Sequence, residues 1–143
     1  MLYLLKTPFK SIKMTSRQRW IFAFWVYFAI LMSISLSAYL RVIPTQIPQF
    51  PYFDTVCHFI LLGIAAYLSH LALDKRKIQI FNISLPLAPF LVMFFCVLDE
   101  IIQLFTPYRS FDLIDLAADL CGVILFTWLA EKQNLNKSVK NQP

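Results

Sequence analysis

Between Trp20 and Leu40 lie 21 residues without a charge, and about 20 predominantly apolar residues are what a helix needs to cross the hydrocarbon core of a bilayer. Three more apolar runs follow: Thr55 to Leu73, interrupted only by His58 and His70, a third from about Ile83 to Phe105, and a fourth from Leu113 to Ala130. With 59% hydrophobic and 15% charged residues among 143, the chain is more apolar than a soluble domain, where about 25% are charged. It also carries too much apolar surface to stay disordered. Lipid offers backbone groups no partners, so the spans are expected to be helices. The composition therefore predicts an all-α membrane protein, with four transmembrane helices near 20–40, 55–73, 83–105 and 113–130 forming a small antiparallel bundle over residues 20–130. No internal repeat, low-complexity tract or second domain is visible.

Of the 13 basic residues, all but Arg41 and Arg109 precede the first run, separate the second from the third as Lys75, Arg76 and Lys77, or follow the last. Lys and Arg in short connections mark the cytoplasmic side, so both termini are expected there. The net charge of +5 thus reports topology; it forms no continuous basic face of the kind a nucleic-acid binder displays. Residues 1–19 read as a basic cytoplasmic or interfacial segment, with Lys6, Lys10 and Lys13 on one helical face and Leu2, Leu5, Phe9 and Ile12 on others, although Pro8 opposes a helix there. The small residues from Ser33 to Ala38 also suggest a cleavable signal, but a signal's apolar region of about 7 to 15 residues is shorter than this run. The connection Arg41–Phe53, with Pro44, Pro48 and Pro51 beside Phe50, Tyr52 and Phe53, reads as an irregular interfacial segment, and residues 131–143 read as a polar cytoplasmic tail.

Asp74 and Glu131 fall at cytoplasmic helix ends, where solvated charge is ordinary, and His70 reads as an interfacial residue. The other acidic residues, Asp54, Asp99, Glu100, Asp112, Asp115 and Asp119, all converge on the outer third of the membrane, joined by His58, Gln103 and Arg109. At 100° per residue, Asp112, Asp115, Asp119 and Gly122 lie within about 80° of one another, and Asp54 and His58 are neighbours one turn apart. An intramembrane carboxylate costs roughly 2.5 to 3.5 kcal/mol near a helix centre, so these stripes are expected to face each other or a water-filled cleft.

Bland roles compete at several positions. Asp54 is placed to cap the second helix, and Asp112 to complement the dipole of the fourth after a Ser110 cap. An isolated His58 would read as a packed, hydrogen-bonded histidine. Asp99 and Glu100, being adjacent, point about 100° apart, so one is expected to line the site while the other meets Arg109 or interfacial water. Cys57, Cys96 and Cys121 read as small core residues; a Cys57–Cys121 disulfide in the outer half stays open.

The stretch Asp54-x-x-x-His58-Phe59, followed by DEIIQLFTPYRSFDLIDLAADLCG with Asp99, Glu100, Gln103, Pro107, Arg109, Asp115 and Gly122, resembles VanZ-like membrane proteins. Their pattern is approximately D-K-x-x-H-F and then D-E-x-x-Q-x-F-x-P-x-R-x-x-x-x-x-D-x-x-x-N-x-x-G. The resemblance covers Asp54 to Gly122, about half of the chain, and departs from the pattern twice: Thr55 replaces the usual Lys and Asp119 the usual Asn, both making the site more acidic. It implies a multi-pass cell-envelope protein of the bacterial cytoplasmic membrane, from a family whose founding members are linked to resistance to the glycopeptide teicoplanin. It supplies no mechanism.

Three functions follow from these residues. The first is an outward-facing site that binds or modifies a lipid-linked or cell-wall precursor. Asp54, His58, Asp99, Glu100, Asp115 and Asp119 are its candidate acid/base groups, with Asp54, His58, Asp99, Asp115 and Asp119 as candidate ligands of a divalent cation such as Mg²⁺ or Ca²⁺. Gln103, Arg109 and Asp112 are its candidate binding residues, Arg109 clamping an anionic group. The second is a proton- or cation-coupled transporter, disfavoured because the first helix carries no charge and the polar residues stop at the outer third. The third is a non-catalytic envelope subunit held together by its polar network. No G-x-S-x-G, H-E-x-x-H or phosphate loop is present, so the sequence leaves enzymatic status open. Oligomeric state is not readable either.

Overall fold

The structure, a computed structural model, describes residues 14–40, 52–105 and 112–139, with side chains as far as Gln133. The expected interfacial segment over residues 1–13, most of the proline-rich connection, Pro107, Arg109, Ser110 and the end of the tail lie outside the described residues. The described chain is mostly helical: α1 (Ser16–Tyr39), α2 (Phe53–Ala72), a hairpin of β1 (Lys77–Ile80) and β2 (Ile83–Pro86), α3 (Leu87–Gln103) and α4 (Leu113–Val139). Three stretches, Ser16–Tyr39, Phe53–Ala72 and Leu113–Gln133, are long and apolar enough to cross a membrane.

Helix α1 begins four residues earlier than its apolar run because Thr15 caps it. The Thr15 hydroxyl accepts from the Gln18 amide and the Gln18 side chain returns the bond to Thr15, a capping box that satisfies two free amides. Apolar on every side, α1 leaves Trp25 60% and Phe22 64% exposed, the surface expected of a helix facing lipid. It lies antiparallel along α2, with Trp20 edge-on to Tyr67 and the Tyr27 hydroxyl donating to the Leu61 carbonyl.

The hairpin corrects the expectation of an unbroken third span from Ile83. Pro86 drives Leu85 into an extended conformation, and Pro89 is tolerated in a helix only in its first turn, so α3 starts at Leu87. The preceding residues pair back on the chain, Ile78 opposite Leu85 and Ile80 opposite Ile83. This places four apolar side chains on one face and Lys77, Gln79 and Ser84 on the other. Phe81 and Asn82 turn the chain with φ of 47° and 65°, the left-handed pair that two-residue hairpins favour.

Helix α4 also departs from expectation, continuing past Ala130 to Val139. Its last described side chains are held: Glu131 by His70 and Lys75, Gln133 by the Tyr67 hydroxyl, and Lys132 over the Trp128 ring at 3.6 Å. Consecutive helices run in opposite directions, yet the tightest packing is not between consecutive helices. Residue pairs 55–115, 58–119 and 70–131 show α2 and α4 lying side by side and parallel. Helix α2 is thus the centre, touched by α1, α3 and α4.

Both glycines of the chain serve this contact. A Cβ on Gly122 would strike the Phe59 carbonyl, and one on Gly63 would meet the Phe126 ring. Small residues let helix backbones approach where lipid supplies no hydrophobic drive. Gly122→Ala is therefore expected to cost about 1 to 3 kcal/mol, because backbone cannot yield, whereas Gly63→Ala costs under about 1 because the Phe126 ring can turn. Thermal unfolding of both variants in mild detergent checks the order; equal losses would contradict it.

Candidate functional site

Among the described residues the largest wholly buried side chains are His70 and Asp119, while phenylalanines such as Phe95, 63% exposed, line the outside. Burying a carboxylate is costly unless donors surround it, and Asp119 has them. His58 Nδ1 lies 3.2 and 3.3 Å from its two oxygens, and the Cys96 thiol donates to Oδ2 at 2.6 Å. Nδ1 is therefore the ring nitrogen from which His58 can donate to Asp119.

Two i, i+4 pairs, Asp54 with His58 on α2 and Asp115 with Asp119 on α4, are brought together by the parallel packing. Donor atoms of Asp54, His58 and Asp115 all lie within 4.8 Å of one another. The Thr55 hydroxyl donates to Asp115 Oδ1 at 2.7 Å and orients that carboxylate. Of the candidate metal ligands, then, Asp54, His58 and Asp115 converge, and Asp119 stands behind His58. Asp99 does not join them. It accepts from the Tyr39 hydroxyl at 2.8 Å and from Gln103 at 3.0 Å, so it ties α1 to α3. Glu100, almost wholly buried, accepts from Gln103 at 3.2 Å and makes a long contact of 3.5 Å with the Asp112 amide.

Asp112 caps α4, accepting from the Ile114 amide at 2.7 Å. Asp54 is no cap: Tyr52 occupies that position, without a side-chain cap bond, and Asp54 sits exposed in the first turn of α2. The three cysteines are free, so no Cys57–Cys121 disulfide forms, and Cys96 is a hydrogen-bond donor as well as a packing residue. Among the described residues, ion pairs reach only Asp119 and Glu131. Among the described residues, no Lys or Arg pairs with Asp54, Asp99, Glu100, Asp112 or Asp115.

A second polar cluster escaped the sequence reading. His70, expected at the interface, is fully buried, with Nε2 3.0 Å from Glu131 Oε1 and Nδ1 without a partner among the described residues. Lys75 donates to the Glu131 carbonyl at 3.0 Å and to its carboxylate at 3.3 Å. The signal was available: His58–Asp119 and His70–Glu131 are both 61 residues apart, the same offset that parallel helices would preserve.

A mostly helical fold with apolar walls and ionisable groups inside defines a small helical-bundle membrane protein. The chain belongs to the VanZ/LLP1 family, which it matches over residues 1–134. The match takes in α1 and most of α4 as well as the segment that carries the motifs. No match was found among curated proteins or solved structures. Both positions that depart from the VanZ-like pattern make site contacts, Thr55 with Asp115 and Asp119 with His58.

The Asp119 shell yields a separable prediction. Cys96→Ala removes a donor from a buried carboxylate and should destabilise the fold by about 1 to 3 kcal/mol, with Cys96→Ser recovering most of the loss. Chemical denaturation in detergent micelles would read the difference; identical stability of both variants with wild type would show that the thiol contributes nothing.

Proposed function

We propose that the Asp54, His58 and Asp115 end of the bundle holds a divalent cation and uses it to bind or modify the anionic group of a lipid-linked or cell-wall precursor. The observation carrying this reading is the convergence of two carboxylates on a histidine whose Nδ1 lies against buried Asp119. A carboxylate behind a ligating histidine fixes its tautomer and raises its basicity, the arrangement common around protein-bound metals. The charge balance supports it too. A lysine at position 55, usual in the pattern, would set an ammonium beside Asp115; Thr55 leaves that charge to be supplied from outside. Carboxylates suit Mg²⁺, Ca²⁺ or Mn²⁺, and the imidazole favours the transition ion. Arg109, in the connection between α3 and α4, is the candidate clamp for the precursor's phosphate or carboxylate.

The same reading places the chain in the bacterial cytoplasmic membrane with four crossings, both termini inside and the acidic end outside. Parallel α2 and α4 support this. If both cross, the chain between them must return, and α3 is the helix that lies there. Its 17 residues reach about 26 Å at 1.5 Å per residue, slightly less than a hydrocarbon core of about 30 Å. Susceptibility to glycopeptides acting on such precursors is a consequence this function would carry. Coupled transport is less well supported, because Phe59, Gly63, Gly122 and Phe126 pack between the two polar clusters and interrupt any relay along α2 and α4.

Elemental analysis of protein purified in mild detergent, after equilibration with Mg²⁺, Ca²⁺, Mn²⁺ or Zn²⁺ in turn, tests the site. Wild type should retain about one ion per chain. His58→Ala and Asp115→Asn should lose it at matched folded yield, and Asp119→Asn should weaken retention about tenfold or more. Folded variants with no metal in any sample, wild type included, would sink the cation. Variants that fail to fold, with metal-free wild type, would make the network purely structural.

A further inference from the structure

A cavity of about 230 Å³ opens at the opposite end of the bundle from Asp54, between the start of α1, the end of α2 and α4. Its wall includes Ser16, Arg17, Trp20, Asp74, Lys75 and Gln133. Two of the donors, Lys75 and Gln133, are held in place from behind. Lys75 spends two contacts on Glu131, which is itself bonded to the wholly buried His70, and an ammonium has a third proton to give. Gln133 accepts the Tyr67 hydroxyl on its oxygen at 2.9 Å, so its amide protons are free to donate. Arg17 forms no ion pair among the described residues. Asp74 and Lys75 take left-handed backbone conformations, with φ of 52° and 57°, a placement unusual for residues other than glycine or asparagine.

The cavity therefore presents an arginine, an ammonium, an amide and a hydroxyl together with one carboxylate. Such a lining matches a ligand that is both anionic and cationic. A phosphodiester oxygen suits Arg17, Lys75, Gln133 and Ser16, and a primary ammonium beside it suits Asp74. The position gives the source. Helices α1, α2 and α4, each long and apolar enough to cross a membrane, bring their ends to this cavity. Trp20 is the side chain that settles at headgroup depth. Acyl chains would cover the apolar side chains, such as Trp25, that α1 leaves exposed along its length.

We propose that this cavity binds the headgroup of an amine-bearing phospholipid, phosphate against Arg17 and Lys75 and ammonium against Asp74. The site is separate from the Asp54, His58 and Asp115 cluster and stands whether or not that cluster holds a cation.

The test is native mass spectrometry of the full chain in mild detergent, offered matched lipids with phosphoethanolamine, phosphocholine or phosphoglycerol headgroups. Wild type should retain the phosphoethanolamine lipid about fivefold better than either of the others. Arg17→Gln, which leaves the Thr15–Gln18 cap untouched, should lower that retention about fivefold. Asp74→Asn, a residue at ease in the left-handed region, should abolish the preference over phosphocholine while the lipid still binds. Both side chains are exposed, so the variants are expected to fold. Equal retention of all three lipids by wild type, or retention unchanged in both variants, would overturn the proposal. So would displacement of the lipid by equimolar water-soluble phosphoethanolamine, which would make the ligand a solute.

Discussion

Both histidine–carboxylate pairs of this bundle depend on how closely α2 and α4 approach. At Gly122 the backbone of one helix rests against the Phe59 carbonyl of the other, and no side chain can intervene. That contact fixes the register of two parallel helices. One turn before it, His58 meets Asp119; further along, His70 meets Glu131. A pair that packed through larger residues would stand farther apart, and neither histidine would reach its acid. Van der Waals fit between small residues, the main cohesive force available in lipid, is thus what makes the buried hydrogen bonds possible.

The consequence is an inverted core. Asp119 and His70 are fully enclosed while Trp25 and Phe95 face outward, the reverse of a soluble domain, where charged residues are almost never fully buried unless paired. Here the pairing is supplied locally: a histidine and a thiol for Asp119, a histidine and an ammonium for Glu131. Membership of the VanZ/LLP1 family and the three long apolar helices agree with this distribution.

What the sequence revealed and what it hid divide along physical lines. Uncharged length is a strong signal, so the runs at Trp20, Thr55 and Leu113 each marked a helix to within a few residues at its start. The motifs around Asp54, His58 and Asp115 also led to side chains that do converge. Which helices touch was not legible: α1 is apolar all round, so its periodicity points nowhere. Consecutive helices do alternate in direction as expected, but that the parallel α2–α4 pair makes the closest contact rests on two glycines, which hydropathy does not single out. Chain reversal at Phe81–Asn82 was hidden by the apolar character of Ile83 and Leu85, which blend into α3. His70 looked peripheral because its partner, Glu131, lies in a stretch polar enough to read as tail.

Across a bilayer the electrical potential falls where the dielectric constant is lowest. Along α2 and α4 that is the layer of Phe59, Gly63, Gly122 and Phe126, which carries no ionisable group. A membrane potential of 100 mV is worth about 2.3 kcal/mol for each elementary charge carried fully through it, and the proposed ion at Asp54 and the proposed headgroup at Arg17 would each stop short of that layer. With the topology and ligands proposed above, each polar cluster would stay at the voltage of its own side, and its occupancy would follow the local ion or lipid composition rather than the energised state of the membrane.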